Sequence, residues 1–150
     1  FGERQHPEKY IPLCIRKILS GEKIFIHSNS SCTKAGSRFY IHASEVCDAI
    51  SHLLRLYDAN ELQWGDKFNI VGSEEIDNLE LAKRIAEIMG KELNYDLVDF
   101  HGSRPGHDLR YALDGSKMNK LGWQPKALNE SLEKTIKWYL KLENQVWLLK

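Results

Sequence analysis

Apolar residues recur along this chain with two periods, one helical and one alternating, and the switches between them mark the elements. Ile11, Ile15, Ile18 and Leu19 fall at helical spacing, and Gly21 closes that helix. Ile24-Phe25-Ile26-His27 reads as a short strand, and the polar, Gly/Ser-rich stretch from Ser28 to Ser37 reads as a loop. Arg38-Phe39-Tyr40-Ile41-His42 is a second strand. A helix follows with Val46, Ala49, Ile50, Leu53, Leu54 and Tyr57 on one face. Lys67-Phe68-Asn69-Ile70-Val71 is a third strand, ending at Gly72. Asp77 caps the next helix, Glu80 completes a capping box, Leu81, Ala82, Ile85, Ile88 and Met89 form the apolar stripe, and Gly90 ends it. Leu93 to Phe100 alternates as a strand. His101 to Asp108 is a loop with Pro105 and two glycines, and Tyr111-Ala112-Leu113 is a short strand. Ser116 opens a short helix that stops before Gly122. The last helix begins near Leu128 and carries Leu132, Ile136, Tyr139 and Leu140.

Strands alternating with helices give an α/β class. The strands are too few and too short for a complete doubly wound sheet, so the pattern reads as part of such a fold. The chain, residues 1–150, is expected to form one unit, without repeats or low-complexity tracts.

Charge narrows the function classes. Lys plus Arg number 21 and Asp plus Glu number 21, so the net charge is zero and no basic excess is available for a general nucleic-acid binder. No apolar run is long enough to cross a bilayer, and the N-terminus has neither the basic nor the apolar region of a signal peptide. Cys14, Cys32 and Cys47 are odd in number and lack CxxC spacing, which points away from disulfides and zinc and toward a reducing cytoplasm. Cys14 and Cys47 read as small buried hydrophobes on helix faces. The opening, without Met and with the pattern of a loop, reads as internal to a longer polypeptide.

The strongest chemical signal is Arg104-Pro105-Gly106-His107-Asp108-Leu109-Arg110-Tyr111. Pro105 and Gly106 fix a turn that lets Arg104 and His107 converge, and a guanidinium grips phosphate oxygens bidentately. A diphosphate suits such a site; a solvated surface loop fits the same residues. Asn69 sits near the end of an apolar strand, where open α/β sheets bind ligands, and either a ligand or a backbone group satisfies its amide. Lys9 and Tyr10 follow Pro7-Glu8, a good helix start in its own right. Arg38, with Lys34 nearby, ends the flexible loop and is placed to close over an anion or to face water. His27 and His42 have no metal-ligand spacing and read as structural.

These segments resemble the extended short-chain dehydrogenases/reductases, and within them the dTDP-glucose 4,6-dehydratase family. Phe1 to Pro12 is similar to its "YGPRQhPEKlIP", Phe68 to Gly72 to "YNIGG", and Asp77 to Glu80 to "TNLE". Arg104 to Asp108 is "RPGHD" unchanged, followed by Arg110 to Asp114 like "RYAID". Leu121 to Pro125 matches "LGWxP", and Lys134 to Tyr139 matches "KTVxWY". The resemblance covers nearly the whole chain in order. It implies that Asn69, Arg104 and His107 hold the substrate diphosphate and that Lys9 and Tyr10 lie against the nucleotide base. It also marks departures: His27 stands where the family has an aromatic at the base, and Gly36 stands where "RDWLYV" has its arginine, with Arg38 as a shifted substitute.

The implied fold is the C-terminal substrate-binding part of an extended short-chain dehydrogenase/reductase. The implied reaction converts dTDP-glucose to the 4-keto-6-deoxy sugar with NAD. The chain contains no G-x-G or G-x-x-G and no Tyr followed four residues later by Lys. The cofactor turn and the catalytic pair therefore belong to a missing N-terminal half, no NAD is expected on this chain, and the chain is expected to be inactive alone. The rivals are another nucleotide-sugar epimerase or decarboxylase, and a non-catalytic binding module. Faces that would pack on the missing half are expected to drive self-association.

Overall fold

The computed structural model describes residues 1–99 and 108–149. Helix α1 (Tyr10–Ser20) buries Ile11, Cys14, Ile15 and Ile18 and ends at Gly21 in the left-handed conformation. Strand β1 (Ile24–Ser28) alternates, with Ile24, Ile26 and Ser28 inward and Phe25 and His27 outward. It pairs in parallel with β4 (Tyr95–Asp99), Ile26 opposite Leu97. A second sheet has β2 (Ser37–Phe39) in the middle, antiparallel to β3 (Glu75–Asp77) and parallel to β5 (Arg110–Tyr111). Helix α2 (Ala43–Asp58) follows β2, α3 (Asn78–Met89) follows β3, and α4 (Ser116–Lys120) follows β5. The chain finishes with α5 (Leu128–Leu140) and a 3-10 helix, Leu142–Leu148, which the apolar periodicity does not announce.

The main core lies where α1 and α5 pack on α3 and α3 on β1. Ile15, Ile26, Leu81, Ile85, Leu132, Ile136 and Tyr139 are fully buried there. A smaller cluster joins Ala49 of α2 to Met118 and Trp123. Trp123 Nε1 donates to Asp48 Oδ2 at 2.9 Å, and the His52 ring meets the Leu121 carbonyl at 2.8 Å, so the Leu-Gly-Trp segment fastens α4 to α2.

Several elements differ from the sequence reading. Residues 67–71 form no strand: an apolar run becomes one only when a neighbouring backbone pairs with it, and none does so among the described residues. The segment instead passes so close to Tyr40 that a Cβ on Gly72 would stand 2.2 Å from the Tyr40 carbonyl oxygen. The Asp77 carboxylate accepts from Glu80 N–H at 2.9 Å as expected, but the Glu80 carboxylate turns to Arg84 at 3.3 Å rather than closing the box. His42 is not in a strand. It caps α2, its Nδ1 accepting from Ser44 N–H at 3.1 Å. Cys14 is buried, and burial pushes its thiol up to about 12. Cys47 is exposed, because the stripe of α2 is covered on one side only: Ala49 and Leu53 pack toward Met118 and Trp123, while Ile50, Leu54 and Tyr57 are exposed with Cys47.

Candidate functional site

A groove runs between β2, residues 70–71 and the segment leaving β5. Its cavity of about 370 Å³ is lined by Arg38, Phe39, Ile70, Val71, Tyr111 and Leu113, with Ala112 between the last two. A neighbouring cavity of about 450 Å³ shares Phe39, Val71 and Leu113 and extends to Asp114, Ser116 and Trp123. The cavity beside Arg38 is a trough that borders its neighbour through those three residues. Mostly apolar walls with few polar groups are the usual make-up of a small-molecule site.

Each side chain is positioned by its local structure. Arg38 stands at the centre of β2, in register with Ile76 on one side and Tyr111 on the other. Its guanidinium carbon lies 4.8 Å from the centroid of the Tyr111 ring. Asn69 is exposed, and its Nδ2 donates to the Asp114 carbonyl at 3.1 Å, tying residues 67–71 to the segment that leaves β5. The Asp114 carboxylate accepts from Ser116 N–H at 2.9 Å and from its hydroxyl at 3.0 Å; these bonds hold the carboxyl below the usual carboxylate range.

Arg110 is engaged elsewhere. Its Nε and Nη2 meet the two Glu75 oxygens at 2.7 Å each, and Ser37 donates to the same carboxylate at 2.7 Å. One carboxylate therefore clasps all three strands. The Arg110 guanidinium first, and the Ser37 hydroxyl after it, hold the Glu75 carboxyl down at about 2.

The remaining sequence candidates are scattered. Lys9 is exposed at the N-cap of α1. Tyr10 turns inward, its hydroxyl donating to the Asn78 carbonyl at 2.6 Å, and burial raises its phenol. His27 is on the outer side of β1, beside the start of β2, where its carbonyl accepts from Gly36 N–H at 3.1 Å. Arg104 and His107 lie outside the described residues. The structure thus brings Arg38 and the Asn69 segment to one trough and leaves Lys9 and Tyr10 on a different element. Sequence reasoning missed Tyr111 as the support of Arg38 and Asp114 as the partner of Asn69. Parallel pairing between β2 and β5 leaves no local signal of either.

No family model matches the chain. Among curated proteins it is 36% identical over 141 residues to the low-salt glycan biosynthesis protein Agl12 of Haloferax volcanii, covering 93% of this chain and 42% of that protein. It is 34% identical over 149 residues to a dTDP-glucose 4,6-dehydratase of Streptomyces niveus, covering 98% of this chain and 40% of the other. It is also similar to the solved dTDP-glucose 4,6-dehydratase from Bacillus anthracis in complex with NAD, with a TM-score of 0.76 and 32% identity over 95% of this chain and 42% of that one. The chain spans about two-fifths of the length of these relatives.

Proposed function

Because the chain belongs to the dTDP-glucose 4,6-dehydratase family of extended short-chain dehydrogenases/reductases, as a C-terminal portion, we propose that it is the wall that holds a nucleotide sugar by its diphosphate. The observation that carries this reading is the trough itself: an apolar cavity with one guanidinium, Arg38, among its described lining residues. A charge in low-dielectric walls attracts a diphosphate more strongly than the same charge in water. Asn69 stands at the edge of the trough, and Arg104 and His107 are assigned to the same anion. Lys9, Tyr10 and His27 are assigned to the base, with Tyr10 acting through the packing of α1. Fixing the diphosphate fixes where the hexose lies, and holding reacting atoms in place is the contribution such a wall makes to rate.

The reaction proposed for the whole protein is conversion of dTDP-glucose to its 4-keto-6-deoxy product. NAD supplies the hydride transfer in that reaction. The residues of this chain do not fit NAD: no glycine-rich turn of the G-x-x-G kind occurs in the sequence to bring backbone against a pyrophosphate. NAD is therefore assigned to the remainder of the polypeptide. The exposed face of α2 is assigned to the same remainder, and without it this face drives self-association. No helix among the described residues is long and apolar enough to cross a membrane, and Cys14, Cys32 and Cys47 are all unpaired, which supports a cytoplasmic setting.

Calorimetric titration with dTDP-glucose tests the reading, with dTDP and UDP-glucose alongside and Arg104→Ala for comparison. Binding of dTDP-glucose that Arg104→Ala weakens by roughly tenfold or more is expected, since hydrogen bonds to a charged group are worth about 1.5–3 kcal/mol. Absence of binding to all three ligands would sink it.

A further inference from the structure

Arg38 and Tyr111 form a unit that the family pattern does not contain. The resemblance places an arginine four residues before Tyr40, and this chain has Gly36 there. The structure gives a steric reason. A Cβ on Gly36 would stand 3.0 Å from the Leu109 carbonyl oxygen, because β5 enters beside β2 at this point and Ser37 N–H donates to that same carbonyl at 2.9 Å. An arginine at 36 would push the two backbones apart.

Arg38 is two residues further along, at the centre of β2 and in register with Tyr111 of β5. Its guanidinium lies 4.8 Å over the Tyr111 ring. Among the described residues, nothing accepts a hydrogen bond from Arg38 and no carboxylate pairs with it, whereas Arg110 is held bidentately by Glu75 and Arg84 by Glu74. Stacking fixes a guanidinium plane while leaving its N–H edge open to a ligand.

We infer that Tyr111 is a positioning residue: its ring holds the Arg38 guanidinium so that the fork faces the trough and grips the diphosphate of the nucleotide sugar, in place of an arginine at position 36. The inference rests on the diphosphate reading above and adds the pair that sets anion affinity in this chain. It separates roles within the sheet. Glu75 and Arg110 lock the three strands, and Arg38 on Tyr111 recognises the ligand.

Titration at low salt with two probes, dTDP and inorganic pyrophosphate, tests the pair in four variants. Arg38→Ala is expected to weaken both ligands roughly tenfold or more, as loss of a charged hydrogen-bonding group does. Arg38→Lys keeps the charge without the fork and recovers only part of the affinity. Tyr111→Leu removes the aromatic face and weakens both probes roughly threefold to tenfold. Tyr111→Phe keeps the face and binds within about twofold of wild type, a rescue that loss of packing alone does not predict for Leu against Phe. Thermal melts of the four variants accompany the titrations. If dTDP binding persists in Arg38→Ala and Tyr111→Leu but is lost in Arg104→Ala, the pair is refuted while the diphosphate site stands. If pyrophosphate binds through Arg38 but dTDP binds no tighter, the clamp stands and the nucleotide reading fails. If neither probe binds the wild type, the inference is overturned.

Discussion

Asn78 is the joint at which α3, β2 and α1 meet, and its side chain is the place to test that joint. The residue is 7% exposed. Its Oδ1 accepts from the Tyr40 hydroxyl at 2.7 Å, its backbone N–H donates to the Gly36 carbonyl at 2.8 Å, and its carbonyl accepts from Tyr10 at 2.6 Å. Replacing Asn78 with Ala deletes only the first of these. The Tyr40 hydroxyl then lacks its acceptor in a site buried enough to raise its phenol well above the usual range. An unsatisfied buried donor costs about 1–3 kcal/mol. The better helix propensity of Ala offsets a few tenths of that. The net loss expected is thus about 1–2.5 kcal/mol, a sizeable part of the roughly 5–15 kcal/mol stability of an ordinary domain. Tyr40→Phe removes the other partner and is expected to cost about 1 kcal/mol. The double variant leaves neither group unpaired, so its loss falls short of the sum of the singles by about 1 kcal/mol. Tyr10→Phe, which acts on the backbone carbonyl of the same residue, adds independently to Asn78→Ala. Urea unfolding reads these as midpoint shifts at constant slope. Strict additivity of Asn78→Ala with Tyr40→Phe would show that the 2.7 Å bond carries no coupling and would refute the joint.

The clasp and the bare helix face give two more tests. The folded Glu75 carboxyl is depressed from 4.5 to about 2, so the stability it contributes is present above 4.5 and is lost as pH falls through that window. Arg110→Met is expected to return the carboxyl toward its ordinary range, read by NMR titration, and to flatten the acid limb of stability relative to wild type; an unchanged limb counts against the clasp. On α2, Ile50 is 47% exposed and Leu54 is 59% exposed. Replacing both with Lys is expected to shift this chain from associated species to monomer in light scattering while changing stability by only about 0.5 kcal/mol per site. A compact wild-type monomer removes the basis for this prediction.

How much was legible differs between helices and sheets, for a physical reason. A helix carries its own ladder, so a period and two caps define it locally; α1, α3 and α5 lie where their stripes placed them, with Gly21 and Gly90 at the ends of α1 and α3. A strand exists only through its neighbour. The 67–71 run has the right apolar composition and no ladder among the described residues, while β3 at Glu75–Asp77 was not foreseen. Periodicity also tells where an apolar stripe runs, not what covers it, which is why the stripe predicts burial for Cys47 although that side of α2 is open. The pairing of β2 with β5, and with it the stacking of Arg38 on Tyr111, joins segments that are distant in sequence and is invisible to any local pattern.

The same distinction bears on what the short motifs mean. Of the motif residues described, most join segments of the scaffold. The Tyr139 hydroxyl donates to the Gln5 carbonyl at 3.2 Å and pins the N-terminal segment to α5. Trp123 ties α4 to α2, Asn78 ties α3 to β2, and Arg110 locks β5 across β2 to β3. These contacts need a particular side chain because each spans elements whose relative placement the backbone ladders do not set. Likeness in such motifs is strong warrant for the fold and weaker warrant for the ligand. The chain departs from the family pattern at Gly36 and Arg38, beside a trough whose other walls are apolar. Differences in ligand preference between this chain and its relatives should therefore follow changes at Arg38 and Tyr111, and changes in the Trp123 or Tyr139 contacts should alter stability while leaving the preference in place.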